Sequence, residues 1–227
     1  MDDNLSLTMK TRWEDTHAKE RFQPKYPADD VVRFVFTHFP RDFKERSNLK
    51  ILDLGCGAGA SAVFLAKEGF LTYATDISEP GLKVAEKRLI DNNLKATLKN
   101  ASMEKQPFED EFFDGVISFG VLYYNTEDGF KKAVDEIYRI LKKGAKAFVF
   151  SRTVDDYRFS KGKQVGKNTF ILNTEDTNEQ DMVNFFLTRQ DIDRIFSKFE
   201  KIIVEKTETT FCNSQKKNSN WIIDIQK

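Results

Sequence analysis

Three glycines in ILDLGCGAGASAVFLAKEGF, Gly55, Gly57 and Gly59, fall between an apolar run and a helix-periodic stretch. Glycine lets backbone approach a ligand closely and adopt positive φ, and the start of a helix adds partial positive charge. Such a turn either holds the polar part of a nucleotide-type ligand or is merely tight, and GCGAGA also fits the dinucleotide pattern, with Ala60 in its last position. Two carboxylates refine this reading. Asp53, two residues before the first glycine, would face a bound pyrophosphate as a like charge and suits a cationic amino group instead. Asp76 ends the next apolar run and can accept hydrogen bonds from both hydroxyls of a ribose. It supports an adenosine-containing ligand without choosing between a nicotinamide dinucleotide and S-adenosylmethionine, which carries an amino group and no phosphate.

Composition limits the class. The 227 residues suffice for one α/β domain with an added cover, and equal numbers of basic and acidic residues (36 each) argue against a protein that lives by neutralising phosphates. The lysines at 161, 163 and 167 read as a solvated loop. Cys56 and Cys212 form neither a disulfide framework nor a zinc motif, which makes a reducing compartment the default. MDDNLSLTMK does not read as a signal peptide, and no window reaches the roughly 18 apolar residues of a membrane span. A cytoplasmic location, without membrane partners, is the expectation.

The elements that must hold these residues follow from periodicity. Strands are expected at Ile51–Leu54, Leu71–Ala74, Ala96–Leu98, Phe113–Phe119 and Ala145–Phe150. Helices are expected at Ala60–Lys67, Glu79–Ile90 and Glu127–Leu141, the last stopped by Gly144. This alternation implies a parallel sheet covered on both faces. Trp13–Phe22 and Ala28–Phe39 read as helices separated by Pro24 and Pro27. After the fifth strand, 151–188 is polar, irregular and long; then come a helix at Arg189–Phe199 and strands at Lys201–Thr209 and Asn220–Ile225, an antiparallel hairpin at the sheet edge.

With these motifs in place, the chain resembles the class I S-adenosylmethionine-dependent methyltransferases. The family's DLGCGxG turn stands as Asp53–Gly59, its acidic strand end as Asp76, its fourth-strand segment as FDGVISFGVLYY, and its approach to strand five as YRILKKGA, with Ala145 in place of the last glycine. The resemblance covers residues 49–151. It implies a doubly wound, mostly parallel seven-stranded sheet (the Rossmann-like methyltransferase fold) with an antiparallel C-terminal edge strand. It implies S-adenosyl-L-methionine as cofactor, with S-adenosyl-L-homocysteine as product. Asp53, Gly55, Cys56, Gly57 and Gly59 would hold the methionine end, and Asp76 and Ile77 the ribose and adenine. Ser102, Met103 and Glu104 would flank the adenine, and Phe119 and Gly120 would lie near the sulfonium.

Residues 1–48 are then expected to form a helical cover, with Trp13 and Tyr26 over the ligand, and 49–227 the cofactor-binding domain. Within it, 151–188 is expected to cap a small, anionic acceptor paired with Arg152, near Tyr157 and Arg158. His17, Tyr123 and Arg152 are the candidate catalytic residues, His17 as a general base. His38 reads as structural. No metal site is expected; Asp155 and Asp156 read as a solvated turn. Ser118-Phe119-Gly120-Val121 lacks the Pro-Pro-aromatic tetrad of DNA amino-methyltransferases, so the expected partner is a small-molecule acceptor rather than DNA, for a monomer or homodimer. Two readings from other classes compete: an NAD(P) reductase using Tyr138 and Lys142, and a non-catalytic module that only binds the cofactor.

Overall fold

In the computed structural model, which describes residues 3–174 and 177–227, a seven-stranded sheet carries the molecule. Strands β1 (Lys50–Leu54), β2 (Leu71–Asp76), β3 (Thr97–Asn100), β4 (Phe113–Phe119) and β5 (Leu141–Arg152) run parallel; β9 (Lys201–Phe211) and β10 (Lys216–Gln226) form a C-terminal hairpin. The order is β3-β2-β1-β4-β5-β10-β9. The hairpin closes the sheet as expected, with antiparallel β10 seated between β5 and the edge strand β9.

Alternation along the central strands explains the two layers. Leu52, Leu54, Val116, Ala147 and Val149 face one apolar cluster, completed by Phe130, Val134 and Ile137 of α6 (Glu127–Ile140) and by α7 (Arg189–Ile195). Ile51, Ile117 and Phe148 face the other, with Val31, Phe34 and Val35 of α2 (Asp29–His38) and Leu65 of α4 (Ala60–Lys67). A strand buried on both faces reads as a continuous apolar run, which is why β1 was legible. Besides these, α1 (Asp3–His17) precedes a 3-10 turn at Glu20–Phe22, α3 (Phe43–Arg46) precedes β1, and α5 (Glu79–Asp91) follows β2. The side chain of Ser78 caps α5 by accepting from the Gly81 N–H at 3.2 Å.

Two expectations are corrected. Gly144 does not stop α6: the helix ends at Ile140 and runs directly into β5, where Gly144 takes φ +74° and its N–H donates to the Lys227 carbonyl at 2.6 Å. Nor is 151–188 irregular. It carries a second sheet, β6 (Gly162–Gly166), β7 (Thr169–Leu172) and β8 (Val183–Phe185), paired antiparallel. No helix among the described residues is long and apolar enough to cross a membrane.

Candidate active site

The chain leaves β1 toward α4 and β2 on one side, while β4 and β5 lie on the other. This reversal at the β1/β4 boundary opens a crevice at the C-terminal strand ends, the usual ligand position in open parallel sheets. A cavity of about 450 Å³ occupies it, within the range of small-molecule sites. Asp53, Gly55, Cys56, Gly57, Asp76, Ile77, Met103, Phe119 and Gly120 all line this cavity. Trp13, His17, Phe22 and Tyr26 of the N-terminal segment line it as well.

The glycine turn admits neighbours no side chain would tolerate. Gly57, at φ +49°, lies under the imidazole of His17: a Cβ there would stand 2.9 Å from Nε2. Gly59, at φ +79°, is packed on α5, where a Cβ would come within 2.6 Å of the Ala85 Cβ. Gly59 is absent from the cavity wall, so its work is to seat α5 on the turn.

The two carboxylates differ. Asp76 accepts the Gly57 N–H on Oδ2 and the Ser78 N–H on Oδ1, both at 2.8 Å, tying the turn to the end of β2. Burial raises its pKa, against His17 and those N–H groups, which lower it. Asp53 is 3% exposed, and its Oδ2 has no hydrogen-bond partner among the described residues. Burial pushes its carboxyl up to about 7, with the Ala62 N–H working against and Asp76 adding to the shift. Burial and the same two acids push the Cys56 thiol well up, which favours the protonated thiol.

His17 is buried, stacks on Trp13 with ring centroids 5.4 Å apart, and leaves Nδ1 without a partner among the described residues. A Cβ on Gly81 would meet that atom at 2.8 Å. Burial lowers its pKa more than Asp76 restores it, so the ring is neutral at pH 7. It lies at the Gly57–Gly81 side of the turn, whereas Gly55 abuts Val121 of the β4 side.

Other sequence-derived candidates lie outside the wall. Ser102 accepts the Glu104 N–H within the loop after β3, and Glu104 accepts from Asn125 Nδ2 at 2.9 Å, fastening that loop to the one after β4. Tyr123 stands behind the wall, its hydroxyl 3.5 Å from where a Gly120 Cβ would be. Arg152 is buried and not free for an anion. It is paired with Glu179, bonded to Asn184 and lies 4.3 Å over the Tyr123 ring. No described residue of 151–188 lines the cavity. That segment supports the cover instead: Met9 and Trp13 pack with Met182, Val183 and Tyr124, and Arg12 pairs with Asp181 at 2.5 Å.

The remaining alternatives find other partners. Tyr138 lies on α6 under Lys198 and Lys227, and Lys142 lies on β5 bonded to Asp114, both away from the cavity. His38 meets Asp224 at 3.0 Å, Asp155 meets Lys206, and Asp156 meets Arg158.

Sequence reasoning missed Arg88. Its guanidinium donates to the carbonyls of Pro24 (2.6 Å), Gln23 (2.8 Å) and Ala58 (3.0 Å), clamping the cover to α5 and the glycine turn. Nothing local marks an arginine on a surface helix for that role.

Comparison with known proteins agrees with this geometry. Residues 51–144 match a family model described as a methyltransferase domain. A ubiquinone/menaquinone biosynthesis C-methyltransferase of Bordetella avium is 36% identical over 47% of this chain and 43% of its own length, so the chain spans less than half of that relative. The cypemycin N-terminal methyltransferase of a Streptomyces species is 30% identical over 72% of this chain and 67% of its own. In fold, the chain is similar to a methyltransferase structure from Methanosarcina mazei, with TM-score 0.72 and 19% identity over 86% of this chain and 96% of that one. Strand order, glycine turn and paired acids occur here together with a relative matched over two thirds of its length, and the chain belongs to the class I S-adenosylmethionine-dependent methyltransferase family.

Proposed function

We propose that this protein binds S-adenosylmethionine in the cavity and transfers its methyl group to oxygen or nitrogen of a small-molecule acceptor. Asp53 carries the reading. A buried carboxylate with a bare oxygen at the start of the glycine turn opposes a pyrophosphate and is completed by an ammonium. Asp76 keeps acceptor capacity on both oxygens for ribose hydroxyls, while Ile77 and Met103 offer apolar faces to an adenine. The residues present therefore fit the cofactor.

Bound there, S-adenosylmethionine supplies an electrophilic methyl group that leaves its sulfonium by in-line displacement. The chain supplies alignment and exclusion of water, which is most of what such a displacement needs. Trp13 and His17 shut the cavity from the α1 side, and Arg88 holds the 23–24 segment down. The position of His17 favours a role at the cofactor end rather than as a base beside Phe119 and Gly120. Tyr123 acts from behind Gly120, steadying the β4 end. Relatives named for carbon and for N-terminal methylation support methyl transfer generally, and the acceptor atom varies among them.

Incubation with methyl-labelled S-adenosylmethionine and a fractionated cell extract tests the proposal. Label is expected in a small-molecule fraction; label confined to protein or RNA would contradict it.

A further inference from the structure

Resting on that reading, we infer that the acceptor is a planar aromatic molecule bearing no negatively charged substituent, bound between the N-terminal segment and the end of β4. The cavity has two halves by origin. The glycine turn, the β2 end and the loop after β3 form the half suited to the cofactor. The other half comes from the N-terminal segment and the end of β4, where Trp13, Phe22, Tyr26 and Phe119 bring rings and Pro24 and Pro27 apolar surface.

Two of these rings stand at the rim with apolar surface in solvent: Tyr26 is 74% exposed and Phe119 36%. Exposed rings gathered at a concave site mark a binding surface more often than a packing remainder. Both are held. Phe119 stacks on Phe150 with centroids 4.5 Å apart and planes 27° from parallel. Tyr26 lies between two prolines that restrict its backbone, just after the carbonyls that Arg88 clamps to α5. A ring face fixed before binding, as that of Phe119 is, favours a flat partner, because less side-chain freedom is lost.

Charge selects further. Asp53 and Asp76 line the cavity, and among the described lining residues there is no lysine or arginine. Arg21 and Lys25 lie over the rings of Phe22 and Tyr26, at 4.4 and 6.0 Å, but both are exposed and screened by solvent. Arg152 is neutralised by Glu179. A carboxylate or phosphate on the acceptor would lose its water without gaining a partner. An uncharged or cationic ring meets no such penalty, so an anionic acceptor paired to Arg152 is not supported.

Three indoles that differ only at the end of a two-carbon chain test this on protein saturated with S-adenosylhomocysteine: tryptophol, tryptamine and indole-3-propionate. Ligand-observed NMR titration should give the first two at least about tenfold tighter binding than the third. Tyr26→Ala should weaken tryptophol about fivefold while S-adenosylhomocysteine affinity stays within about twofold. Equal or tighter binding of indole-3-propionate, or no binding by any of the three, overturns the inference and leaves the proposed function standing. Failure of S-adenosylhomocysteine to saturate the protein overturns both.

Discussion

Arg152 and Glu179 form a bidentate ion pair with both N–O distances at 2.6 Å and neither side chain more than 8% exposed. Glu179 also accepts from the Tyr124 hydroxyl at 3.1 Å, and Trp13 stands edge-on to Tyr124 with centroids 4.7 Å apart. The pair therefore fixes the floor on which α1 rests. Burial drives the Glu179 carboxyl up, but Arg152 and Arg158 outweigh it and hold the group below its ordinary range.

Removing one partner leaves an uncompensated buried charge. Arg152→Met should destabilise the fold by about 3–5 kcal/mol, and Arg152→Met with Glu179→Gln should recover part of that loss. Urea unfolding of the single and double variants checks this. An Arg152→Met protein as stable as the parent would show that the pair contributes nothing.

Asp53 makes stability depend on pH in a stated direction. Its folded-state carboxyl is raised from 3.8 to about 7, so between those values the native state holds a proton the unfolded chain has released. Stability contributed by that proton is present at low pH and lost as pH rises toward 7. Asp53→Asn should therefore stabilise the ligand-free protein at pH 8, by at most roughly 4 kcal/mol, with the difference vanishing near pH 4. Thermal unfolding at both pH values measures it. Parent S-adenosylmethionine affinity should rise from pH 6 to pH 8 as the carboxylate ionises, and that rise should be absent in Asp53→Asn.

Arg88→Ala frees the carbonyls of Gln23 and Pro24 from α5. Amide exchange in residues 19–28 should accelerate, and S-adenosylmethionine affinity should fall about tenfold, the worth of one charged hydrogen bond. Unchanged exchange would mean that the cover is held elsewhere.

Much of this was legible in the sequence because it is local. The apolar run of β1, the glycines after it and Asp76 lie within 26 residues, and each has a signature of pattern or composition. The insert was not legible. Every residue of β6 is exposed, so no alternation marks it, and β8 is three residues long. Arg152 looked available for an acceptor because Glu179 lies 27 positions away, and only the folded β7–β8 unit brings them together. Glycine after a helix usually stops it, but the left-handed Gly144 serves a strand joined to the Lys227 carbonyl.

What the cavity binds distinguishes a methyltransferase from a reductase. Isothermal titration should give one-to-one, saturable binding of S-adenosylmethionine in the micromolar range, about −8 kcal/mol, weakened at least about tenfold in Asp76→Ala, with no saturable heat from NAD(H). Saturable binding of NAD(H) with no heat from S-adenosylmethionine would contradict the proposed function.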